Sequence, residues 1–319
     1  MRKTRPVVAL ITPVLADANN GNWQTAQRWA RLLSGHYRVH LAAAWDGGDE
    51  HLMVALHARR SAASVQAWRA RAGARPLLLV LTGTDLYRDI DQDASALASL
   101  QAADRLVVLN ELGLARLPVA LRAKGAVCLQ STPGRQPLAK TDRRLRVLMV
   151  GHLREEKSPQ TYFDAARRLA ARHDILLDHI GGALDPALAA QARALAAWQP
   201  QYRWLGALPH RSTRRRIQSA HLLVHASHME GGAHVVTEAL TSGTPVLASR
   251  IDGNVGLLGA GYGGYFPWGD ADALAALLQQ ARDDAAMLPA LRVQCDERAP
   301  LFHPDRERQT LLGLLHALT

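Results

Sequence analysis

Short apolar runs alternate along the chain with longer stretches in which apolar residues recur every three or four positions. The runs are typical of buried parallel strands, and the stretches are typical of amphipathic helices such as Trp23–Leu33. The pattern predicts an α/β fold with parallel sheets. Strands are predicted at Val7–Thr12, Val39–Ala44, Leu77–Leu81, Leu106–Leu109, Ala126–Leu129, Leu145–Val150, Ile175–Ile180, Tyr202–Leu205, Leu222–His225, Val246–Ala248 and Gly264–Phe266.

A polar segment with proline and glycine, Ser131–Arg144, interrupts this alternation and indicates an interdomain linker. A chain of 319 residues also favours two domains. We expect two doubly wound, Rossmann-like domains that face each other across a cleft, at residues 1–140 and 141–300. A closing helix is predicted at Asp305–Leu318, within residues 301–319.

Composition narrows the class of protein. The formal charge of +10 points to anionic partners, either nucleic acid or phosphorylated small molecules. No apolar run is long enough for a membrane span, and the N-terminus has no cleavage pattern of a secretory signal, so we expect no membrane partner. Cys128 and Cys295 lie far apart without metal-ligand spacing, which predicts buried, reduced thiols in a cytoplasmic protein.

Ligands of open α/β sheets bind beyond the carboxyl ends of strands, so polar loops at those ends are the candidate sites. The first is the loop that ends in Asn20-Gly21-Asn22-Trp23. Gly21 would let the backbone approach a phosphate, and Asn20 would bond a sugar hydroxyl. An Asn-Gly turn followed by a helix cap is the alternative interpretation.

The second loop, Leu81–Arg88, follows another predicted strand of the first half. It brings together the hydroxyls of Thr82 and Thr84, the carboxylate of Asp85 and the guanidinium of Arg88. These groups predict contacts with a polar ligand. A capping turn in which Thr84 or Asp85 begins a short helix is the alternative interpretation.

The third loop, Gly151–Ser158, leaves the strand Leu145–Val150. His152, Arg154 and Lys157 would neutralise the charge that grows on a departing diphosphate. The alternative is the start of a helix in which Glu155 and Glu156 pair with these cations.

The fourth candidate is a pair of carboxylates, Glu230 and Glu238, that frames Gly231 and Gly232. Amides at a helix N-terminus can hold a diphosphate, and an acidic residue further along can accept hydrogen bonds from ribose hydroxyls. A solvated helix face is the alternative. We interpret Arg211–Arg216 as such a face, and we do not expect a zinc site at the three histidines His221, His225 and His228.

These motifs together resemble the GT-B glycosyltransferases of the family 4 type. Gly151–Lys157 is similar to their G-R-L-x-x-x-K stretch, Glu230–Glu238 to their E-x7-E element, and Ser242–Val246 to their S-G-x-P-V run. The resemblance implies that no metal cofactor is needed, that anomeric configuration is retained, and that the last helix returns to the first domain. It also implies roles for single residues: Glu238 would bind the donor ribose, Glu230 would face the donor sugar near its anomeric carbon, Lys157 and Arg154 would bind the diphosphate, and the amides of Gly232, Ala233 and His234 would bind the phosphate or sugar.

Three departures from that pattern stand out. His152 replaces the usual arginine, Gly232-Ala233 replaces Phe-Gly, and Thr82 replaces a histidine that contacts the donor sugar. With the Asn20–Trp23 loop and the Thr82–Ile90 run, they resemble the selenosugar synthases, which join selenophosphate to a UDP-sugar, typically UDP-N-acetylglucosamine. That resemblance implies UDP-GlcNAc or UDP-Glc and selenophosphate as substrates. Its candidates for holding selenophosphate are Asn20, Arg88, Lys157 and His234.

Two other functions remain open on these sequence grounds. One is a family 4 O-glycosyltransferase with a hydroxyl acceptor, which would need a base or an apolar groove in the first half. The other is a basic protein that binds nucleic acid on the same fold. Nucleic acid is the weaker alternative, since it gives no reason for two glutamates beside a glycine pair.

Overall fold

The computed structural model describes residues 5–13 and 21–318, which form two compact units. The first unit comprises Met1–Ser131, Glu230–Gly232 and Pro304–Thr319, and the second comprises Thr132–Met229 and Ala233–His303. Residues 128–144 form neither helix nor strand. The domain limits expected from the sequence stay a prediction.

The first unit is built on a six-stranded parallel sheet of order β2-β1-β3-β4-β5-β6. Its strands are β1 Val7–Ile11, β2 Arg38–Ala42, β3 Leu52–Leu56, β4 Leu77–Leu81, β5 Arg105–Val108 and β6 Gly125–Val127. Its helices are α1 Gly21–Leu33, α2 Ala62–Ala72, α3 Ile90–Gln92, α4 Ala94–Ala102, α5 Gly113–Arg116 and a closing helix, Pro304–His316. A π-helical turn, Asp85–Asp89, precedes α3, and a 3-10 turn, Val119–Lys124, precedes β6.

Both faces of this sheet are covered, which is why β3 and β4 are continuous apolar runs. Alternate residues of β1 point to opposite faces: Ala9 and Ile11 join the core with Trp68, whereas Val8 and Leu10 join the core with Trp29. Helix α1 buries Thr25, Ala26, Trp29 and Leu33, one face at helical spacing.

The closing helix belongs to the first unit. Leu311 and Leu315 pack in the core that contains Trp29. The buried carboxylate of Glu307 accepts hydrogen bonds from Arg28 Nε at 2.8 Å, from Trp29 Nε1 at 2.7 Å and from the amide of Ser131 at 2.9 Å. A buried carboxylate is stable only when it is paired in this way. Glu307 therefore anchors this helix to α1.

The second unit has a parallel sheet of order β12-β11-β10-β7-β8-β9. Its strands are β7 Leu145–Val150, β8 Ile175–Ile180, β9 Tyr202–Trp204, β10 Leu222–His225, β11 Val246–Ser249 and β12 Tyr265–Phe266. Its helices are α6 Pro159–Arg168, α7 Pro186–Trp198, α8 His210–Ser219, α9 His234–Leu240, α10 Asp252–Leu258, α11 Ala271–Asp283 and α12 Met287–Arg298, with 3-10 turns at Glu155–Lys157 and Ala299–Phe302.

Two parallel sheets of six strands confirm the predicted α/β fold class of two Rossmann-like units. One strand of the first sheet, β3, is absent from the sequence predictions, although it lies between β1 and β4. No helix among residues 5–13 and 21–318 combines the length and the apolarity that crossing a bilayer requires.

Candidate functional site

The strand order of the second unit identifies where its ligand loops lie. Counted from its first strand, β7, the order is the 3-2-1-4-5-6 arrangement of dinucleotide-binding folds. The order reverses between β7 and β10, and ligands of such folds bind beyond the carboxyl ends of the strands at this point. The loop Gly151–Ser158 follows β7, and the segment that leads to α9 follows β10.

The loop after β7 is packed closely on the end of β8. A Cβ atom at Gly181 would lie 1.8 Å from the carbonyl oxygen of Gly151, so only glycine fits there. The amide of Gly182 donates to Nδ1 of His152 at 2.9 Å. Burial, together with the charges of Arg154 and Lys157, lowers the pKa of His152. His152 is therefore a fixed, neutral part of the loop at neutral pH.

The two cations of this loop differ in exposure. Lys157 is half-buried, ends the 3-10 turn Glu155–Lys157, and lies with its stem against Gly151. Arg154 is exposed, and its Nε lies 3.9 Å from Oε2 of Glu156. The ion-paired interpretation thus has support at Arg154. The predicted diphosphate contacts of both residues stay predictions.

Glu238 is the centre of a charged cluster in the second unit. Helix α9 carries it, and the residue is 3% exposed. Its Oε1 lies 2.6 Å from Nε2 of His210, 3.3 Å from Nδ1 of His234 and 3.8 Å from Nη1 of Arg214. Burial favours the protonated carboxyl, but hydrogen bonds from the two histidines and the charge of Arg214 lower the pKa of Glu238 to about 2. The side chain is an ionised acceptor at neutral pH.

Glu230, Gly231 and Gly232 group with the first unit, where Glu230 is half-buried. A Cβ atom at Gly231 would lie 0.9 Å from the carbonyl oxygen of Thr82, and Nδ2 of Asn110 donates to the carbonyl of Gly231 at 2.7 Å. Close packing on Thr82 is therefore a structural reason for glycine at 231. The predicted contacts of the 231–234 amides with a ligand are a separate hypothesis.

The loop after β4 is built around Asp85, whose side chain is fully buried. Its carboxylate accepts hydrogen bonds from the amides of Thr82, Gly83 and Ala58 at 2.8, 3.0 and 2.9 Å, and from Oγ1 of Thr82 at 2.9 Å. Both carboxylate oxygens are therefore engaged by protein donors. A π-helical turn begins at Asp85, but no side-chain hydrogen bond caps it at Thr84.

Asp89, one turn further along, is paired with two arginines. Its Oδ2 lies 2.8 Å from Nε of Arg59, and its Oδ1 lies 3.0 Å from Nε of Arg88. Burial raises the pKa of this carboxyl, but the hydrogen bonds and charges of the two arginines hold it below its usual value. The predicted contacts of Thr82, Thr84 and Arg88 with a ligand stay predictions.

The first candidate loop is only partly described. Asn20 lies outside the described residues. Gly21 is exposed at the start of α1, where its carbonyl accepts a hydrogen bond from Oγ1 of Thr25 at 2.8 Å. The described part of this loop therefore forms the first turn of a helix.

Comparison with known proteins identifies the family. The profile of the family described as Glycosyl transferases group 1 matches residues 130–301, more than half of the chain. The chain belongs to this family. It is therefore a glycosyltransferase.

Solved structures agree on the fold of this glycosyltransferase. Sucrose-phosphate synthase from Thermosynechococcus elongatus superposes with a TM-score of 0.78 at 20% identity, covering 98% of this chain and 99% of that one. Anabaena HepE in complex with UDP and glucose gives a TM-score of 0.79 at 14% identity, covering 98% and 100%. The lipopolysaccharide outer core galactosyltransferase WaaB gives 0.72 at 13%, covering 98% and 100%. No curated protein sequence matches significantly. The fold is GT-B, as the sequence resemblance implied.

Two residues of the Glu238 cluster are absent from the sequence predictions. His210 begins α8, and Arg214 is 3% exposed on the same helix, where it donates to Oγ1 of Thr132 at 2.9 Å and to the carbonyl of Pro133 at 2.8 Å. The interpretation of Arg211–Arg216 as a solvated face is therefore wrong at Arg214. Its spacing from Ile217 on the apolar face of the helix is the signal that could have revealed this.

The first unit of the glycosyltransferase also holds a buried histidine that the sequence analysis missed. His57 follows β3 and is 2% exposed; its Nε2 lies 3.2 Å from Oγ1 of Thr84, and its Nδ1 accepts from the amide of Arg60 at 3.4 Å. Burial lowers the pKa of His57. The missed strand β3 explains why this position at a strand end was overlooked.

The three histidines that were not expected to bind zinc have separate partners. His221 Nε2 bonds the carbonyl of Thr141 at 2.7 Å, and His225 Nδ1 lies 2.9 Å from Oδ1 of Asn254. The ring of His228 packs on Trp268 with centroids 5.4 Å apart. These contacts give each ring its own structural role.

Proposed function

We propose that this glycosyltransferase transfers a sugar from a UDP-sugar to selenophosphate. A lone pair on selenium attacks the anomeric carbon, forming a C–Se bond. The bond between that carbon and the oxygen of the diphosphate breaks, and its electron pair leaves with UDP. Atoms and charge balance without an oxidant, a reductant or a metal. UDP-GlcNAc and UDP-Glc are the proposed donors.

The donor half of this proposal draws on the second unit. HepE, which has the same fold, has been solved with UDP and with UDP-glucose. In this chain, Glu238 is ionised and would accept hydrogen bonds from the two ribose hydroxyls. Lys157 and Arg154 would stabilise the charge of the departing diphosphate, and electrostatic stabilisation of this kind is often the largest contribution to catalysis. Glu230 would face the sugar near its anomeric carbon.

One observation carries the choice of acceptor: the two buried carboxylates that follow β4, Asp85 and Asp89, are already engaged. Asp85 accepts four hydrogen bonds from its own unit, and Asp89 is held by Arg59 and Arg88. The neighbouring ring of His57 is buried. A hydroxyl acceptor needs a base to remove its proton, whereas selenophosphate is already an anionic nucleophile.

The charge of the same region suits an anion. Arg59 and Arg88 each leave 39% of the side chain exposed, and Arg60 follows in the loop after β3. Arg59 and Arg88 both pair with the carboxylate of Asp89. Arg88, with Thr82 and Thr84, would hold selenophosphate against the anomeric carbon. The similarity of Thr82–Ile90 to the selenosugar synthases adds support.

The test is a direct assay of acceptors. The full chain is incubated with UDP-GlcNAc or UDP-Glc and with selenophosphate, phosphate or glycerol in parallel, and the products are identified by mass spectrometry. We expect UDP together with a selenium-containing sugar only when selenophosphate is present. UDP release that requires glycerol or another alcohol would replace this proposal with an O-glycosyltransferase. Arg88→Gln should raise KM for selenophosphate, while Arg31→Gln, an exposed control on α1, should not.

A further inference from the structure

Three side chains of the second unit bring metal-binding atoms to one point. His210, His234 and Glu238 each offer a ligand atom, and these atoms lie within 4.8 Å of one another. The carboxylate oxygen is 2.6 Å from the first imidazole and 3.3 Å from the second. The histidines come from different helices, α8 and α9, so the cluster depends on the fold rather than on one segment of sequence.

The chemistry of these donors selects a class of metal. Two imidazole nitrogens and one carboxylate are the three protein ligands of many open zinc sites, in which water is the fourth ligand of the tetrahedron. Bonds of about 2.0–2.1 Å place tetrahedral ligand atoms about 3.3 Å apart. The carboxylate oxygen lies at this distance from Nδ1 of His234, and the 2.6 Å contact with His210 must lengthen when an ion enters. Magnesium and calcium prefer oxygen ligands throughout, so this donor set disfavours them.

Two features bear on access and affinity. The side chain of His210 is 54% exposed, so an ion can reach the cluster from solvent, whereas the side chain of Glu238 is only 5% exposed and is held in place. Arg214 lies 3.8 Å from the same carboxylate oxygen. Its positive charge opposes a second cation, so binding should be weaker and more reversible than at a structural zinc site.

We propose that His210, His234 and Glu238 form a reversible binding site for zinc, and that zinc there competes with the nucleotide sugar. The competition rests on the proposed function, in which the Glu238 carboxylate accepts the ribose hydroxyls. A carboxylate that ligates zinc has lost that acceptor capacity. The metal is an inhibitor in this scheme and takes no part in the transfer.

A second group, His40, Asp46 and Glu50, also brings ligand atoms together and would confuse a measurement of zinc binding. The experiment therefore uses His40→Ala as its background and measures Zn²⁺ by equilibrium dialysis, with circular dichroism as the check on folding. We expect one Zn²⁺ per chain in this background. Adding His210→Ala or His234→Asn should weaken binding about tenfold or more, since even outer-shell partners are worth about 10–100-fold. Adding His303→Ala, at an exposed histidine outside both groups, should change nothing.

Unchanged binding in the His210 and His234 variants would overturn the site. Competition is tested separately: UDP should displace the zinc, and cobalt bound in its place should lose its visible absorption band as UDP is added. Zinc that stays bound at saturating UDP would overturn the competition. Neither measurement depends on selenium transfer, so failure of the acceptor assay and failure of this proposal are distinguishable.

Discussion

The imidazole of His179 supports the loop that follows β7. Its Nε2 lies 3.1 Å from the carbonyl oxygen of Gly151, and its Nδ1 lies 3.2 Å from the hydroxyl of Tyr202. Because a carbonyl only accepts, Nε2 carries the proton, and the hydroxyl donates to Nδ1. Burial lowers the pKa of His179 to about 4. The first residue of the predicted diphosphate loop is thus held by a neutral histidine.

This histidine predicts a dependence of stability on pH. The pKa of His179 is about 4 in the folded chain, against an ordinary value of 6.5. Between these values the unfolded chain binds the proton and the folded chain does not, so the free energy of unfolding falls as the pH is lowered from 6.5 to about 4. The full loss is about 3 kcal/mol. His179→Gln keeps a donor for Gly151 without titrating, and it should show a shallower decline in urea unfolding.

The control for that prediction is His303→Gln, at an exposed histidine. It should follow the pH profile of the unmodified chain. If the free energies of unfolding of His179→Gln and the unmodified chain differ by the same amount at pH 7 and at pH 4.5, His179 does not cause the loss of stability in acid.

Lys157 should matter for the chemical step. If its ammonium stabilises the departing diphosphate, Lys157→Ala removes a charge that counts most in the transition state, and kcat should fall about 100- to 1000-fold with little change in KM. Arg167→Ala, which removes a cation of helix α6 that pairs with Asp164, is the matched control and should leave kcat unchanged. A variant at 157 with normal kcat would refute the assigned role.

Glu238 should matter for donor affinity. Glu238→Gln preserves the volume of the side chain but loses an ionised acceptor, and hydrogen bonds to charged groups contribute about 1.5–3 kcal/mol. KM for the UDP-sugar and Kd for UDP, measured by calorimetry, should therefore rise about 10- to 100-fold. Glu297→Gln, at an exposed glutamate of α12, should bind UDP normally. Equal Kd values for the Glu238 variant and the unmodified chain would remove Glu238 from the donor site.

Much of the fold could be predicted from the sequence because buried parallel strands consist of consecutive apolar residues. The bounds of β7, β8 and β10 agree with the predictions residue for residue. The strand β3 was missed although all five of its residues are apolar and buried, because a short run of this kind has no periodicity to separate it from other buried segments. Because β3 was not predicted, His57, which follows it, was not recognised as a residue at a strand end.

The candidate site was predictable only where its residues are close in sequence. Glu230 and Glu238 belong to one motif. His210, which contacts the carboxylate of Glu238, lies 28 positions earlier in the chain than Glu238. Nothing in a single sequence pairs such positions. Arg214 resembles its exposed neighbours Arg211 and Arg215, and only the packing of α8 distinguishes it. The closely packed glycine at 231 was predicted to serve a ligand, and its contact with Thr82 became apparent from the fold.

A substitution at Asp85 distinguishes transfer to selenophosphate from transfer to a hydroxyl acceptor. Its fully buried carboxylate accepts hydrogen bonds from three backbone amides and one hydroxyl. Asp85→Asn replaces one accepting oxygen by a donor that faces N–H groups, so the free energy of unfolding should fall by about 3 kcal/mol, because each buried donor left unpaired costs about 1–3 kcal/mol. If Asp85 were instead the base for a hydroxyl acceptor, the variant would lose its pH-dependent kcat while donor binding persisted. We expect urea unfolding to show the loss of stability, and the pH profile of selenophosphate transfer by the folded fraction to keep its shape, because the nucleophile brings no proton for Asp85 to remove. A profile flattened on its acidic side would assign the carboxylate to catalysis.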